Sequence, residues 1–463
     1  MSTTPLTSLL LAFFFALPAV PPPSAQSPPA APPIVITHVT VIDGTDSLAR
    51  RDQTVVIRGN RIIAVGPATS TPVPAGARIL AGRGKYLIPG LWDMHVHTVA
   101  PGGRAVLGLY VANGVLGVRD MAGDWGQLTR WRKEIAAGRL AGPRILASGP
   151  YIEGGDVPIA HLLARTPDEA RAAVDSLARL GVDFVKLHSQ FRRDVYFAAA
   201  RAAREKGLRI AGHVPRSVTV EEASDSGVGS LEHLLQIPIP CTPAESLALV
   251  PRFPIQRVLG QCTSRNLAPV FARFVRNGTW IVPTLVAGYE IAQWPRRDLP
   301  GDAYGQYLPD TLRRYVAQIF PMPDSVPPGA EVTGHALYEK RIALVGMMHR
   351  AGVAILPGTD APLRNSPPGF GLHAELALFV RAGFTPFEAL RAATLEPARY
   401  FGMLDSLGSV ATGKIADLVL VGADPLTDIG NALKIEAVVA NGRLFDATAR
   451  RALLRNARTP PRP

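Results

Sequence analysis

Residues 88–97 read IPGLWDMHVH, and the reading of the whole middle of the chain turns on them. Pro89-Gly90 is turn chemistry. LWDMHVH then forms a short apolar strand ending in two histidines. Residues i and i+2 of a strand share a face, so His95 and His97 project to the same side. Seven further stretches have the same make: VLGVRDM (115–121), RILASGP (144–150), FVKLH (184–188), RIAGHV (209–214), SLEHL (230–234), WIVPTL (280–285) and AILPGTD (354–360). Between them lie Ala-, Arg- and Leu-rich stretches of helical spacing. PDEARAAVDSLARLG (167–181) precedes FVKLH and DVYFAAARAAREKG (194–207) follows it. Eight such units predict an α/β fold, a (β/α)8 TIM-like barrel over residues 89–401. Residues 295–330 are Pro-rich and aperiodic and are expected to be a long excursion after the seventh strand.

Outside that core the pattern changes to period two. IVITHVTVIDG (34–44) and TVVIRGNRIIAVG (54–66) alternate apolar residues around turns at Asp43-Gly44 and Gly59-Asn60. The far end repeats the style in GKIADLVLVGADP (413–425) and IEAVVANGRLFD (435–446). Both ends together predict one small β-sandwich domain, from residues 34–88 and 402–453, with a disordered tail at 454–463.

Composition bounds the rest. The 463 residues are 47% hydrophobic and 19% charged, which excludes wholesale disorder. There is no continuous apolar run of about eighteen residues, so no membrane-spanning helix is expected in the mature form. The formal charge is +12, and 42 of the 49 basic residues are arginine. They are scattered, without the dense basic run and interleaved aromatics of a nucleic-acid binder. Two cysteines, Cys241 and Cys262, exclude a disulfide framework and a Cys-rich zinc site. LLLAFFFALPAV (9–20) has the length of a secretory apolar core, although no Lys or Arg precedes it. Residues 1–25 are therefore read as a signal peptide and 26–33 as a Pro/Ala-rich linker, which makes the protein exported, periplasmic or secreted. In an oxidising compartment a Cys241–Cys262 bond is open.

Five of the expected strands carry a metal-ligand type at the C-terminal end, where barrel enzymes place their active sites. These are His95 and His97, Lys186, His213, His233 and Asp360. Any one alone is unremarkable: a strand-end histidine is more often a satisfied polar residue, and Asp360 in PGTDAP could merely cap a turn. Only ten histidines exist in the chain, and four stand at these ends in order. Imidazole and carboxylate suit Zn²⁺ and similar ions.

With IPGLWDMHVH, GVRDM, FVKLH, AGHV, SLEHL and GTDAP, the stretch GLHAELALFVRAGFTPFEALRAATLEPARYFG (371–402) and GSVATGKIADLVLVGADPL (408–426) complete a pattern. The chain from residue 34 onward resembles the metal-dependent amidohydrolase superfamily, nearest its imidazolonepropionase-related, prolidase-like branch. The resemblance implies two divalent ions, taken as Zn²⁺. His95, His97 and Asp360 would hold one, and His213 and His233 the other. It also implies that Lys186 carries a CO2-derived carboxylate bridging the two. A bridging hydroxide would be the nucleophile and Asp360 the general acid–base.

The leading reading is a hydrolase cleaving an amide or peptide C–N bond in a dipeptide or N-acyl amino acid. The alternatives are a mononuclear ring-opening enzyme of imidazolonepropionase type, an ester, lactone or phosphotriester hydrolase, or an inactive exported binding protein. His188, Arg216, Tyr151 and Tyr289 are candidate substrate contacts; Asp120 is a weaker candidate, for which a salt bridge with Arg119 is the plain alternative. Trp125 and Trp294 are read as loop packing. The partner is a small molecule, and a homo-oligomer is open. If the first segment is a signal, mass spectrometry of protein exported by a native-like host will find a terminus near residue 26; an intact Met1 or Ser2 on soluble cytoplasmic protein would refute it.

Overall fold

Apolar positions 34, 35, 36, 39 and 41 are buried along the strand Ile34–Val41, and they seed the first sheet. The computed structural model describes residues 31–157, 161–234, 236–237, 262–288, 300–319 and 330–458. The expected signal segment, Cys241, Tyr289 and Trp294 lie outside them. Ile34–Val41 pairs antiparallel with Arg50–Arg58, which turns at Gly59-Asn60 into Arg61–Pro67. Its other neighbours, Arg78–Ala81 and Tyr86–Pro89, run parallel to it. Leu418–Val421 then adds antiparallel to Tyr86–Pro89, followed by Ile435–Ala440 and Arg443–Phe445. The two ends of the chain thus meet in one eight-stranded sheet. Among the described residues these strands are joined by hydrogen bonds into one sheet, in which the two separate layers of the expected sandwich are not distinguished.

The middle is built from parallel strands and helices. Leu91–Val96, Val115–Asp120 and Arg144–Ala147 make a three-stranded sheet. A six-stranded sheet runs in the order Leu162–Leu163, Ile152–Glu153, Phe184–Leu187, Arg209–Gly212, Ser230–Glu232, Trp280–Val282. Intervening helices are locally well specified. Pro167–Leu180 starts with a Thr166/Glu169 capping box and Pro at its first turn, and ends at Gly181 with φ 74°. Arg193–Glu205 buries an alanine-rich face.

Seven expected strands are present, and the eighth differs. AILPGTD is held only by isolated parallel bridges, Ile281–Ile355 and Val96–Ala361. Pro357 has no N–H to give a ladder, and Asp360 has φ 58°, which breaks the extended run. Backbone hydrogen bonds still fasten the segment on both sides. Leu356 N donates to Ile281 O at 2.9 Å, and Met94 N donates to Pro357 O at 2.9 Å. Across the other gap, Asp183 N donates to Ala147 O at 3.0 Å. The strands therefore stand as two parallel sheets with such links between them, not as one continuous closed ladder.

Two further expectations are corrected. The excursion is not aperiodic throughout: Asp310–Ile319 is a helix that buries Leu312 and Val316, four residues apart. The expected tail is helical up to Arg458 in Ala447–Arg458, which Asp446 caps by accepting from Ala449 N at 2.9 Å. Its Leu453 packs on Gly108 of the helix Gly103–Ala112. From Pro32 onward the chain forms one compact unit, and among the described residues no helix is long and apolar enough to cross a membrane.

A Cβ on Gly117 would lie 2.2 Å from the Trp92 ring, which is buried and rigid on the adjacent strand. Gly117→Ala should destabilise the fold by about 1–3 kcal/mol through overpacking, measured by denaturant unfolding. An unchanged midpoint would show that the two strands can part.

Candidate active site

Parallel strands end on one side, and the residues leaving those ends meet there. His95 is fully buried on Leu91–Val96. Its Nδ1 lies 2.7 Å from Glu232 Oε2. A carboxylate only accepts, so Nδ1 carries a proton toward Glu232. Ser189 Oγ lies 2.7 Å from His213 Nδ1, and Thr284 Oγ1 lies 2.8 Å from His233 Nδ1. With Nδ1 engaged in each case, the buried Nε2 atoms of His95 and His213 have no hydrogen-bond partner among the described residues.

The rings are close. Centroids of His95 and His233 are 4.4 Å apart, those of His213 and His233 4.9 Å, and those of His95 and His97 5.4 Å. Asp360 Oδ1 is 3.3 Å from His95 Nε2 and 3.1 Å from His97 Nε2. Burial pushes the Asp360 carboxyl up, but His233, His95 and His97 outweigh it and hold it well below the usual carboxylate range. Burial pushes His213 and His233 well down, reinforced by neighbouring cations such as Lys186, so these imidazoles are neutral. Burial also lowers the Lys186 ammonium to about 8, against the opposing pull of Glu232 and Asp360.

Neutral imidazoles with unpartnered nitrogens around one carboxylate are a donor set for a divalent cation, and the residues present fit one. His95, His233 and Asp360 offer ligand atoms within 4.8 Å of one another. This grouping differs from the expected division: His233 stands with His95 and Asp360 as well as beside His213.

All six expected ligands line one cavity of about 800 Å³, whose apolar wall includes Val99, Met121, Trp125 and Leu363. Trp125, expected only to pack a loop, is thus part of the wall. Tyr151 and His188 also line it, with ring centroids 4.7 Å apart. Glu153 accepts from His188 Nδ1 and from Gln190 N and Gly154 N, which fixes the loop after the strand Phe184–Leu187. Arg216 does not join them. It is exposed and off the cavity wall, because the chain turns away after the buried Val214-Pro215.

Several supporting residues escaped the sequence reading. Arg119 does not pair with Asp120; neighbours on a strand face opposite sides, a rule that already argued against that pair. Asp120 instead accepts from Thr98 N at 2.7 Å and from Thr98 Oγ1. Arg119, fully buried, donates from Nη2 to both Glu232 oxygens at 2.8 and 2.9 Å and from Nη1 to Ser230 Oγ at 2.8 Å. Burial alone would raise the Glu232 carboxyl, but Arg119 and His95 keep it ionised. An acid inside the apolar strand Ser230–Glu232 was the available signal.

The amidohydrolase family model matches residues 305–445. A solved structure described as a "putative prolidase" from Bifidobacterium longum is 26% identical, with a TM-score of 0.67 over 93% of this chain and 100% of that one. Over residues 305–445, and in its whole fold, the chain is similar to the amidohydrolase superfamily. A bottromycin amidohydrolase shares the fold at 23% identity and a TM-score of 0.71, covering 94% of this chain and 91% of that one. So does a Xaa-Pro dipeptidase solved with methionine in its active site, at 22% identity and a TM-score of 0.66, covering 90% and 100%. No curated protein matches the sequence.

Arg119→Met leaves the Glu232 charge buried without its partner. It should cost the protein about 3–5 kcal/mol in denaturant unfolding. Among molecules that remain folded, the freed Glu232–His95 pair should weaken divalent-metal binding about 10–100-fold in chelator competition. Unchanged stability and metal affinity would show that Arg119 is not needed to hold Glu232.

Proposed function

We propose that this protein is an amidohydrolase, a binuclear metallohydrolase that cleaves an amide or peptide-type C–N bond in a small substrate, a dipeptide or an N-acyl amino acid. The observation that carries the reading is the set of unpartnered imidazole nitrogens gathered with Asp360 around the buried Lys186. Similarity to a Bifidobacterium longum protein described as a prolidase supports the choice of bond. In this reading the two parallel sheets and the linked segment 354–361 act as one barrel, and the protein is exported after removal of its first twenty-odd residues.

His95, His97, His213, His233 and Asp360 would hold the metals, with Lys186 between them as a carbamate. Bound there, divalent ions supply Lewis acidity toward a carbonyl oxygen and bring the pKa of water toward neutrality. The chain's own residues do the rest. Glu232, Ser189 and Thr284 hold the imidazoles in one orientation. A low pKa for the Lys186 amine favours the neutral form that adds CO2. Asp360 contacts His95 and His97 through Oδ1, so Oδ2 is the oxygen assigned to take the proton of the attacking water and return it to the leaving nitrogen. The apolar wall at Val99, Met121, Trp125 and Leu363 accommodates an uncharged side chain of the substrate.

A screen of dipeptides and N-acyl amino acids with metal-loaded protein, read by amine release, tests the substrate class. Release from neither group, with esters or lactones turned over instead, would replace it. Metal content separates the readings of the centre: about two equivalents support this one, and one supports a mononuclear site. Asp360→Asn keeps a ligand oxygen but loses the base, so metal should largely remain while kcat falls by about 10²–10⁴-fold or more. Lys186→Ala should lose metal and activity together, and a short carboxylic acid should restore part of both. The same acid should not help Asp360→Asn. If Lys186→Ala keeps two metals and full activity, the carbamate assignment fails.

A further inference from the structure

A second cavity, of about 290 Å³, lies at the opposite ends of the strands from the catalytic one. Leu116, Arg144, Ile145 and Leu146 come from the beginnings of two parallel strands, whereas the catalytic residues leave the far ends. Ile135, Leu140 and Ala141 close one side, and Ala440, Arg443 and Phe445 of the terminal sheet close the other. Its volume is at the lower limit of small-molecule pockets, about 300 Å³.

The wall is divided in character. Its floor is apolar, and Ile135, Leu140 and Ala141 are only partly buried. Three arginines stand around it. Arg144 reaches Asp417 at 3.3 Å, and Arg132 pairs with Asp183. The Nε atoms of both are shielded from solvent and have no hydrogen-bond partner among the described residues. Arg443 is exposed, lies over the Phe445 ring at 5.5 Å, and has no carboxylate within ion-pair distance among the described residues. Three guanidiniums against two carboxylates leave one positive charge uncompensated beside an apolar floor.

We infer that this cavity is a binding site for a small amphipathic monoanion, a carboxylate carrying a short apolar tail. Arg443 meets the carboxylate with its fork of N–H donors. The tail covers Ile135, Leu140 and Leu146. A dianion such as phosphate has more charge than the single unpaired arginine balances and nothing to place on the floor. A neutral molecule of the same tail leaves Arg443 unmatched. The site is independent of the proposed hydrolytic chemistry, since none of its lining residues lines the catalytic cavity.

Isothermal titration of the full chain with octanoate, octanamide and inorganic phosphate tests this. Octanoate should bind with one equivalent and raise Tm, and the other two should bind at least about tenfold more weakly. Arg443→Gln, a change at an exposed residue, should lower octanoate affinity at least about tenfold without altering amide hydrolysis. Ala141→Trp fills the cavity and should abolish binding. If that variant does not fold, Arg443→Gln decides alone. Leu363→Trp, which narrows the catalytic cavity, should leave octanoate binding intact. Equal binding of octanamide, undiminished binding by Arg443→Gln, or loss of binding in Leu363→Trp would each overturn the assignment. None of these results depends on which substrate the enzyme hydrolyses.

Discussion

The buried ion pair between Arg119 and Glu232 is the contact on which the rest of the site depends. Both side chains are wholly shielded from solvent. Desolvating them is costly, and only close, multiple hydrogen bonds offset it. Arg119 spends its donors on Glu232, Ser230, Tyr400 and the Met94 carbonyl. The pair thereby ties the first two strands of one sheet to Ser230–Glu232 of the other and to the helix Leu395–Tyr400. Glu232 in turn holds His95 by Nδ1, so the orientation of the imidazole depends on the same interaction that joins the strands.

The segment around residues 354–361 shows the opposite device. There the strand pattern gives way, and the irregularity is what positions the site. Gly358 packs so closely that a Cβ would stand 2.7 Å from His95 Cβ and 2.5 Å from Val282. Asp93 accepts from Thr359 N and Oγ1, at 3.0 and 2.6 Å, and so anchors the turn to the first strand. Burial raises the Asp93 carboxyl to about 7, despite these bonds. The turn then delivers Asp360, at φ 58°, among the imidazoles. A regular strand would place the carboxylate by alternation alone, one face or the other. The cost of a non-glycine residue at positive φ is accepted where the surrounding bonds over-determine it.

Much of this was legible in residue order. His95, His97, Lys186, His213 and His233 sit at or just past the ends of parallel strands, which a local and repetitive pattern makes legible, whereas Asp360 is delivered by the irregular turn after residue 357. The partners of those residues were not. Ser189, Thr284 and Glu232 reach histidines 24, 51 and 137 residues away in sequence. Arg216 looked like a neighbour of His213 by number, yet the turn at Pro215 takes it to the surface. The helices at Asp310–Ile319 and Ala447–Arg458 were hidden by their surroundings, a Pro-rich stretch and an Arg-rich end, although each carries apolar residues four apart.

The sequence by itself determined the α/β class, the β-character of both chain ends, and the residue types at the strand ends. Each follows from periodicity, turn chemistry or ligand chemistry, which act over a few residues. Only the tertiary structure decided which nitrogens stand free. It also decided which histidine stands between the others, and which arginine is buried as a support and which is left unpaired at the second cavity. Those properties depend on distances between segments far apart in the chain. Burial sets the strength of every charge interaction among them, and burial exists only once the sheets and helices have packed.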